Sequence, residues 1–226
     1  MAGILMNKSD RFRAMRALCW LLLTVAGAAS EGCARLPYTT QVVHEDRRVV
    51  VTLQREPRPA SYSHPVQLRS DELASVLAGF SFREQQRLPL RWFAEEVPPK
   101  PIFRSDELQA VVPYLVEALE KASPNERIYF QVLAPGMNPA YDRDTTAGWM
   151  VVREPYLHLA LEHYHAQFPT RKSEQWDLRY PAIPPEPGNY LLYFEPGRFW
   201  VTDPETDQQS VQLREFLKSA TPASPK

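Results

Sequence analysis

Short apolar runs and alternating apolar and polar positions predict several β-strands in this sequence. In Gln41–Leu53, β-branched residues flank the charged segment HEDRR, and this pattern predicts a hairpin. Arg127–Pro135 (RIYFQVLAP) predicts a single strand. Two more hairpins are predicted: Thr146–His165, turning at Arg153-Glu154-Pro155, and Asn189–Asp203, turning at Glu195-Pro196-Gly197-Arg198.

Apolar residues at helical spacing predict three helices. The first has its apolar face at Leu73, Val76, Leu77 and Phe80, with Ser70 as the expected N-cap. The second has its apolar face at Leu108, Val111, Val112, Leu115 and Leu119, and Pro113 should kink it or mark its start. The third is predicted around Gln208–Ser219.

The first two helices open with the same pentapeptide, RSDEL, at Arg69–Leu73 and Arg104–Leu108. An array of helical repeats needs at least three copies, and the sequence has two. We therefore interpret the repetition as shared helix-start chemistry, in which acidic residues favour the first turn.

This order of elements predicts an α+β fold, with an antiparallel sheet of hairpins and two or three helices packed on one face. We expect residues 66–219 to form the globular domain and residues 220–226 a disordered tail. Residues 33–65 are expected to hold the first hairpin and a spacer, because Arg55–Pro65 is rich in proline. The chain has 22 Pro and 8 Gly, and proline runs favour stiff, extended backbone.

The amino-terminal segment has the charge and hydropathy pattern of a secretory signal peptide. Four basic residues (Lys8, Arg11, Arg13 and Arg16) precede the apolar run Ala17–Ala29. This run of 13 residues is too short for a spanning helix, which needs about 20. We therefore expect residues 1–32 to be a cleaved signal peptide, starting at Met1, Met6 or Met15. The segment Ala26-Gly27-Ala28 also fits ordinary signal peptidase, and cleavage there would give a soluble periplasmic protein.

The segment Ser30-Glu31-Gly32-Cys33 resembles the lipobox of bacterial lipoproteins, in which Leu, a small residue and Gly or Ala precede the lipidated Cys. Gly32 matches that pattern, whereas Ser30 and Glu31 depart from it. The resemblance, which covers only the first 33 residues, implies that Cys33 carries diacylglycerol and palmitate. The only other cysteine, Cys19, lies in the segment to be removed, so Cys33 would have no disulfide partner in its chain. Because Ala34 follows the Cys instead of Asp, the resemblance implies the outer membrane, facing the periplasm.

Charge and motifs argue against several classes of function. The chain has 26 Lys and Arg against 27 Asp and Glu, so it lacks the basic excess that draws proteins to nucleic acid. The sequence contains no Gly-rich phosphate loop, and no cofactor is predicted. The segment Asp142–Gly148 (DRDTTAG) begins like a calcium loop, but Ala147 and Arg153 stand where Gly and Glu are needed, so we expect a polar loop.

Two kinds of binding residue are candidates. His163 and His165 are same-side neighbours on a predicted strand and are candidate ligands for Zn²⁺ or Cu²⁺, although no third ligand follows at a suitable spacing. Trp149, Trp176 and Trp200 are candidates for holding a glycan ring or a proline-rich strand, with packing in the core and loops as the alternative. An edge strand such as Tyr190–Phe194 offers strand addition.

The sequence therefore predicts a lipid-anchored envelope protein with a non-catalytic binding or scaffold role. Its partner would be an envelope protein or a glycan, besides the membrane reached through Cys33. Two alternatives stay open: a periplasmic metal-binding module that uses His163 and His165, and an envelope hydrolase that acts on glycan or peptide. A hydrolase whose carboxylates are assembled only by folding leaves no local signature.

Overall fold

The computed structural model describes residues 38–84, 98–169 and 190–220. Within these ranges the helices are α1 (Ser70–Ala78), α2 (Ser105–Lys121) and α3 (Leu213–Ala220), with a 3₁₀ turn at Gly197–Phe199. The strands are β1 (Thr39–Glu45), β2 (Val49–Arg55), β3 (Phe80–Glu84), β4 (Lys100–Pro101), β5 (Glu126–Pro135), β6 (Asp142–Arg153), β7 (Tyr156–Pro169), β8 (Tyr190–Phe194), β9 (Trp200–Asp203) and β10 (Gln208–Gln212).

Seven strands form one antiparallel sheet in the order β1-β2-β5-β6-β7-β10-β9. Two predicted hairpins are confirmed, because β1 pairs with β2 and β6 pairs with β7. The predicted strand at Arg127–Pro135 is confirmed as part of β5, which pairs with β2 and β6. Since β2 lies inside this sheet, the first hairpin belongs to the globular fold and not to a separate segment that ends at residue 65.

The proline-rich segment after β2 packs against the end of the sheet and does not form a free spacer. The backbone N–H of Tyr62 donates to the carbonyl of Pro124 (2.7 Å), and that of Ser63 donates to the carbonyl of Val152 (2.9 Å). The imidazole of His64, which is 3% exposed, accepts a hydrogen bond at Nε2 from the N–H of Val152 (3.1 Å). Burial lowers the pKa of His64, which favours the neutral ring that can accept this bond.

Both copies of RSDEL begin a helix in the same way. The N-cap residues are Arg69 in α1 and Arg104 in α2. Arg69 lies one residue before Ser70, which was the predicted N-cap of α1. The N–H of Arg69 donates to Glu72 (2.9 Å), and the N–H of Arg104 donates to Glu107 (2.8 Å), so each carboxylate closes a capping box. Helix α2 continues through Pro113, and the proline therefore does not mark its start.

The core lies between the helices and one face of the large sheet. Its strand residues include Val49, Val51 and Leu53 of β2 and Ile128, Phe130 and Val132 of β5. Helix α2 contacts β1, β2 and β5, whereas α3 contacts β7 and β10. Because side chains alternate along a strand, the residues between these core positions project to the opposite face of the sheet.

The predicted hairpin at Asn189–Asp203 is wrong, because its two strands belong to different sheets. Strand β8 pairs with β3 in a three-stranded sheet of order β4-β3-β8, whereas β9 pairs with β10 of the large sheet. Between them the chain turns inward, where Phe194 and Phe199 pack edge-on against Phe216 of α3, with ring centroids 5.2 and 5.5 Å apart. The burial of these rings takes the place of hairpin pairing.

Two further element boundaries differ from the predictions. The third helix begins at Leu213, because Gln208–Gln212 forms β10 and pairs with β7 and β9. The first helix ends at Ala78, and Phe80 is the first residue of β3.

The predicted α+β class is confirmed by the large antiparallel sheet, the small sheet and the three helices of the described ranges. None of the helices in these ranges is long and apolar enough to cross a membrane. The predicted signal peptide 1–32, Cys33, Trp176 and residues 221–226 lie outside the described residues, and the predictions made for them stay predictions.

Candidate functional site

A group of polar and aromatic side chains lies on the face of the large sheet opposite the core. It comprises Gln54, Arg127, Tyr129, Trp149 and Glu162, and we call it the polar face cluster. Gln54 of β2 is opposite Arg127 of β5, and Tyr129 of β5 is opposite Trp149 of β6. These positions alternate with core positions along the same strands, so the strands that build the core also position the cluster.

The indole of Trp149 is the centre of this cluster. Its Nε1–H donates to Oε1 of Gln54 (2.9 Å), which fixes the plane of the ring. The guanidinium carbon of Arg127 lies 4.6 Å from the centroid of the indole, and the ring of Tyr129 lies 5.7 Å away. A cation stacked on an indole at this distance attracts the ring electrostatically. The partly buried indole is therefore held from two sides.

Glu162 reaches the cluster because β7 carries an extra residue at this point. Ala147 of β6 is opposite His163, whereas the next residue, Gly148, is opposite Leu161, so Glu162 has no partner of its own. This is the geometry of a β-bulge, which re-aims a side chain locally. The Oε2 atom of Glu162 accepts a hydrogen bond from the Tyr129 hydroxyl (2.9 Å), although only 6% of the residue is exposed.

Burial determines how Glu162 and Tyr129 titrate. Desolvation raises the pKa of Glu162, and this effect exceeds the opposing effects of the Tyr129 hydrogen bond and the Arg127 charge. Burial also raises the pKa of Tyr129, and the neighbouring Glu162 raises it further. Both groups therefore favour their neutral forms more strongly than they would in water.

Arg127 has few partners for its five donors. Its Nη2 atom lies 3.4 Å from Oε1 of Gln54, and its Nη1 atom lies 3.8 Å from Oε2 of Glu56. The Nε atom is buried and has no hydrogen-bond partner, and the same holds for the hydroxyl of Thr52, the residue opposite Tyr129. The hydroxyl of Tyr62 donates to Glu56 (3.0 Å), and burial together with Glu56 raises the pKa of Tyr62 to about 12.

A second cluster joins the start of α2 to the β6–β7 hairpin. Nη2 of Arg104 donates to Oδ2 of Asp144 (2.7 Å), and Nδ1 of His165 lies 3.1 Å from both carboxylate oxygens of Asp144. The hydroxyl of Thr146 lies 3.5 Å from the same Nδ1 atom. A catalytic triad needs the carboxylate on one ring nitrogen and the nucleophile on the other, and here both contact Nδ1. The cluster therefore has the geometry of a structural link.

Asp144 belongs to the segment that the sequence predicts to be a polar loop, and that prediction is wrong. Residues Asp142–Gly148 form the first part of β6. Thr145, Thr146 and Ala147 are buried there, in ladder positions opposite β5. Pairing on both sides of β6 outweighs the local preference of aspartate and threonine for a turn.

The structure does not bring the rings of His163 and His165 together. The ring of His163 packs edge-on against Phe168 at 4.8 Å, and His165 contacts Asp144. The contact of His163, Phe168, is opposite Arg143 of β6, and the contact of His165, Asp144, is the residue after Arg143. Because consecutive residues of a strand point to opposite faces, the two histidine rings lie on opposite sides of the sheet. Register shifts in β7 and the φ of 45° at His165 break the alternation on which the prediction rested. In the described part of the chain no three His, Cys, Asp or Glu side chains are arranged to hold a metal ion.

The two described tryptophans of the predicted set have different surroundings. Trp149 belongs to the polar face cluster. Trp200 packs against Phe80 and Phe194 beside the core, with ring centroids 5.8 and 6.5 Å away. Trp200 therefore has the packing role that was the alternative to binding.

Sequence reasoning missed the partners of Trp149. A signal existed for two of them: Arg127 and Tyr129 alternate with the core residues Ile128 and Phe130, which places them together on the other face of β5. Glu162 could not be assigned to this face, because its direction depends on a bulge that pairing with β6 creates.

Comparison with known proteins adds no family assignment. No family matches the sequence, and neither the curated proteins nor the solved structures contain a significantly similar chain.

Proposed function

We propose that this chain is a lipid-anchored binding protein of the bacterial envelope. In this proposal lipid on Cys33 holds it at the outer membrane facing the periplasm, and the polar face cluster binds an envelope component without chemical conversion. The soluble periplasmic form that cleavage after Ala28 would produce is the alternative for its location.

One observation carries the binding role: the side chains of the polar face cluster are held by one another. Trp149 is fixed by Gln54 and Arg127, and Glu162 is fixed by Tyr129. Groups that are already oriented lose little conformational entropy when a ligand arrives, which favours binding. The partly exposed indole supplies contact area, because aromatic rings bury a large surface with few rotatable bonds.

The amino-terminal sequence supports the anchoring role. Four basic residues, a short apolar run and small residues precede Cys33. Lipidation explains why an exported chain would keep a single cysteine without a partner.

Labelled palmitate incorporation tests the anchor. The wild-type chain should incorporate label and fractionate with membranes, and Cys33→Ala should lose both properties. Cys19→Ala is the matched control and should keep them, since that residue is removed with the signal peptide. Label retained in Cys33→Ala would contradict the lipid anchor.

Retention of envelope material tests the binding role. The full chain, immobilised and incubated with a detergent extract of the envelope, should retain a component that Trp149→Ala does not. Met137→Ala is the control, because Met137 is 88% exposed and lies outside the cluster. Equal retention by both variants, with equal urea midpoints, would contradict a role for the cluster.

The metal-binding and hydrolase alternatives stay predictions. Equilibrium dialysis tests the metal-binding alternative by comparing the Zn²⁺ retained by wild type with that retained by a His163→Ala, His165→Ala double variant. The separate surroundings of the two rings favour equal retention by both proteins.

A further inference from the structure

The chain enters the large sheet at the end where β2 stops and β5 begins. Tyr38 directly precedes β1, and its carbonyl accepts a hydrogen bond from the backbone N–H of Arg55, the last residue of β2 (2.8 Å). Arg55 is opposite Glu126, the first residue of β5. The β5–β6 loop lies about 30 Å away at the other end of the sheet, because each strand residue advances the chain by about 3.3 Å.

The tether between the proposed lipid and the fold is short. Cys33 and Tyr38 are five residues apart, and a chain spans at most about 3.6 Å per residue. Lipid on Cys33 would therefore keep the membrane surface within about 18 Å of Tyr38, whatever the conformation of residues 34–37. The side chains around Tyr38 are thus within reach of the membrane.

Three exposed side chains surround this entry point, and we call Tyr38, Arg55 and Arg58 the entry patch. Tyr38 is 56% exposed, and both arginines are also exposed. The backbone N–H of Glu56 donates to the carbonyl of Asn125 (3.0 Å), which holds the loop that carries Arg58 against the start of β5. Tyrosine is enriched at membrane–water interfaces, and arginine near a membrane is attracted to anionic lipids.

The charges at this end of the sheet leave the two arginines of the patch available. The carboxylates of Glu56, Glu126 and Glu154 each accept a hydrogen bond from a neighbouring side chain. Within the described ranges neither Arg55 nor Arg58 forms an ion pair. The exposed guanidinium groups therefore complement the phosphate groups of lipids, with which arginine forms charge-assisted hydrogen bonds.

We propose that the entry patch rests on the surface of an anionic phospholipid bilayer, with Tyr38 among the headgroups and with Arg55 and Arg58 bonded to lipid phosphates. This inference rests on the lipid anchor of the proposed function and adds a second contact with the same membrane. It orients the sheet, because the β5–β6 loop at the other end then faces away from the bilayer.

Protection of a fluorophore from dithionite tests the contact. The lipidated full chain is added to preformed vesicles of phosphatidylethanolamine and phosphatidylglycerol, so that it faces outward. Tyr38→Cys carries a nitrobenzoxadiazole label, which attaches only there because the thiol of Cys33 is blocked by lipid. Dithionite should reduce this label at least about tenfold more slowly than the same label on Met137→Cys, equivalent to about 1.4 kcal/mol. Met137 is the matched position, since it is 88% exposed and lies in the β5–β6 loop.

Removal of one charge tests the role of the arginines. With the label at residue 38, Arg58→Gln should speed reduction by about fivefold, equivalent to about 1 kcal/mol for one arginine at an anionic surface. Arg47→Gln is the matched control, because Arg47 is exposed in the β1–β2 turn at the other end of the sheet. It should leave the rate at residue 38 unchanged.

Two outcomes would overturn the inference: equal reduction rates at residues 38 and 137, and equal rates in Arg58→Gln and Arg47→Gln. Flotation with the vesicles and the mass of the purified chain report separately on the anchor. If the chain carries lipid and floats but either outcome is found, the patch contact fails and the proposed anchor stands. If the chain carries no lipid and does not float, both fail.

Discussion

The close approach of β6 and β7 at Gly148 gives the sharpest test of the fold. A Cβ atom at Gly148 would lie 2.2 Å from the carbonyl oxygen of Ala160, and real Cβ atoms essentially never approach another heavy atom within 3.0 Å. Because the obstacle is backbone, Gly148→Ala must push two central strands apart by close to 1 Å. Overpacking of this kind costs about 3 kcal/mol, the upper end of the usual range.

Urea denaturation followed by tryptophan fluorescence measures this cost. With a denaturant slope of about 2 kcal/mol per molar, the midpoint should fall by about 1.5 M. The melting temperature should fall by about 6–12 °C in a chain of this size. Gly197→Ala is the matched control, because a Cβ at Gly197 meets nothing within 4 Å. If both variants unfold at the wild-type midpoint, the strands do not approach as described and the bulge that aims Glu162 is refuted.

Three more changes should alter stability in defined directions, each measured by urea midpoint. Burial raises the pKa of Glu162, so the folded state holds the carboxyl proton more tightly than the unfolded state, and the free energy of unfolding falls as pH rises above about 4.5. Glu162→Gln should make this fall with pH smaller. The same dependence on pH in wild type and Glu162→Gln would contradict the buried carboxyl. Burial lowers the pKa of His64, so stability is lost as pH falls below about 6.5; His64→Gln, which keeps an acceptor for the N–H of Val152, should lose less between pH 6.5 and 5. Glu107→Ala should cost about 2 kcal/mol and Glu72→Ala about 1 kcal/mol, because Glu107 is 1% exposed whereas Glu72 is half-buried; equal costs would contradict the role of burial.

Local pattern was sufficient for the elements whose partners are close in sequence. The β1–β2 and β6–β7 hairpins depend on a few consecutive residues and were predicted correctly, and the N-cap of α1 was predicted to within one residue. The segments that failed have distant partners. Tyr190–Phe194 pairs with β3, more than 100 residues earlier, so its local resemblance to one arm of a hairpin was misleading.

The candidate site was only partly predictable for the same reason. Trp149 could be chosen by residue type, but Gln54 lies 95 residues from it and becomes its partner only through sheet order. The prediction that His163 and His165 are same-side neighbours is wrong, because it requires strict alternation along β7, and pairing with β6 introduces two register shifts there. Bulges are decided by the partner strand, and no single-strand pattern contains them.

The order of strands in the large sheet also shapes how the chain folds. The capped helix starts and the two hairpins need only neighbouring residues, so they can form within microseconds. The pairing of β2 with β5 joins Val51 to Phe130 across both α1 and α2, and that of β7 with β10 closes a loop from Leu157 to Val211. Closing such loops costs chain entropy before contacts are gained, and folding slows as contacts become more distant. Strand β2, which supplies Gln54 to the polar face cluster, therefore joins the β5–β6–β7 meander late, as does β10 on the other side.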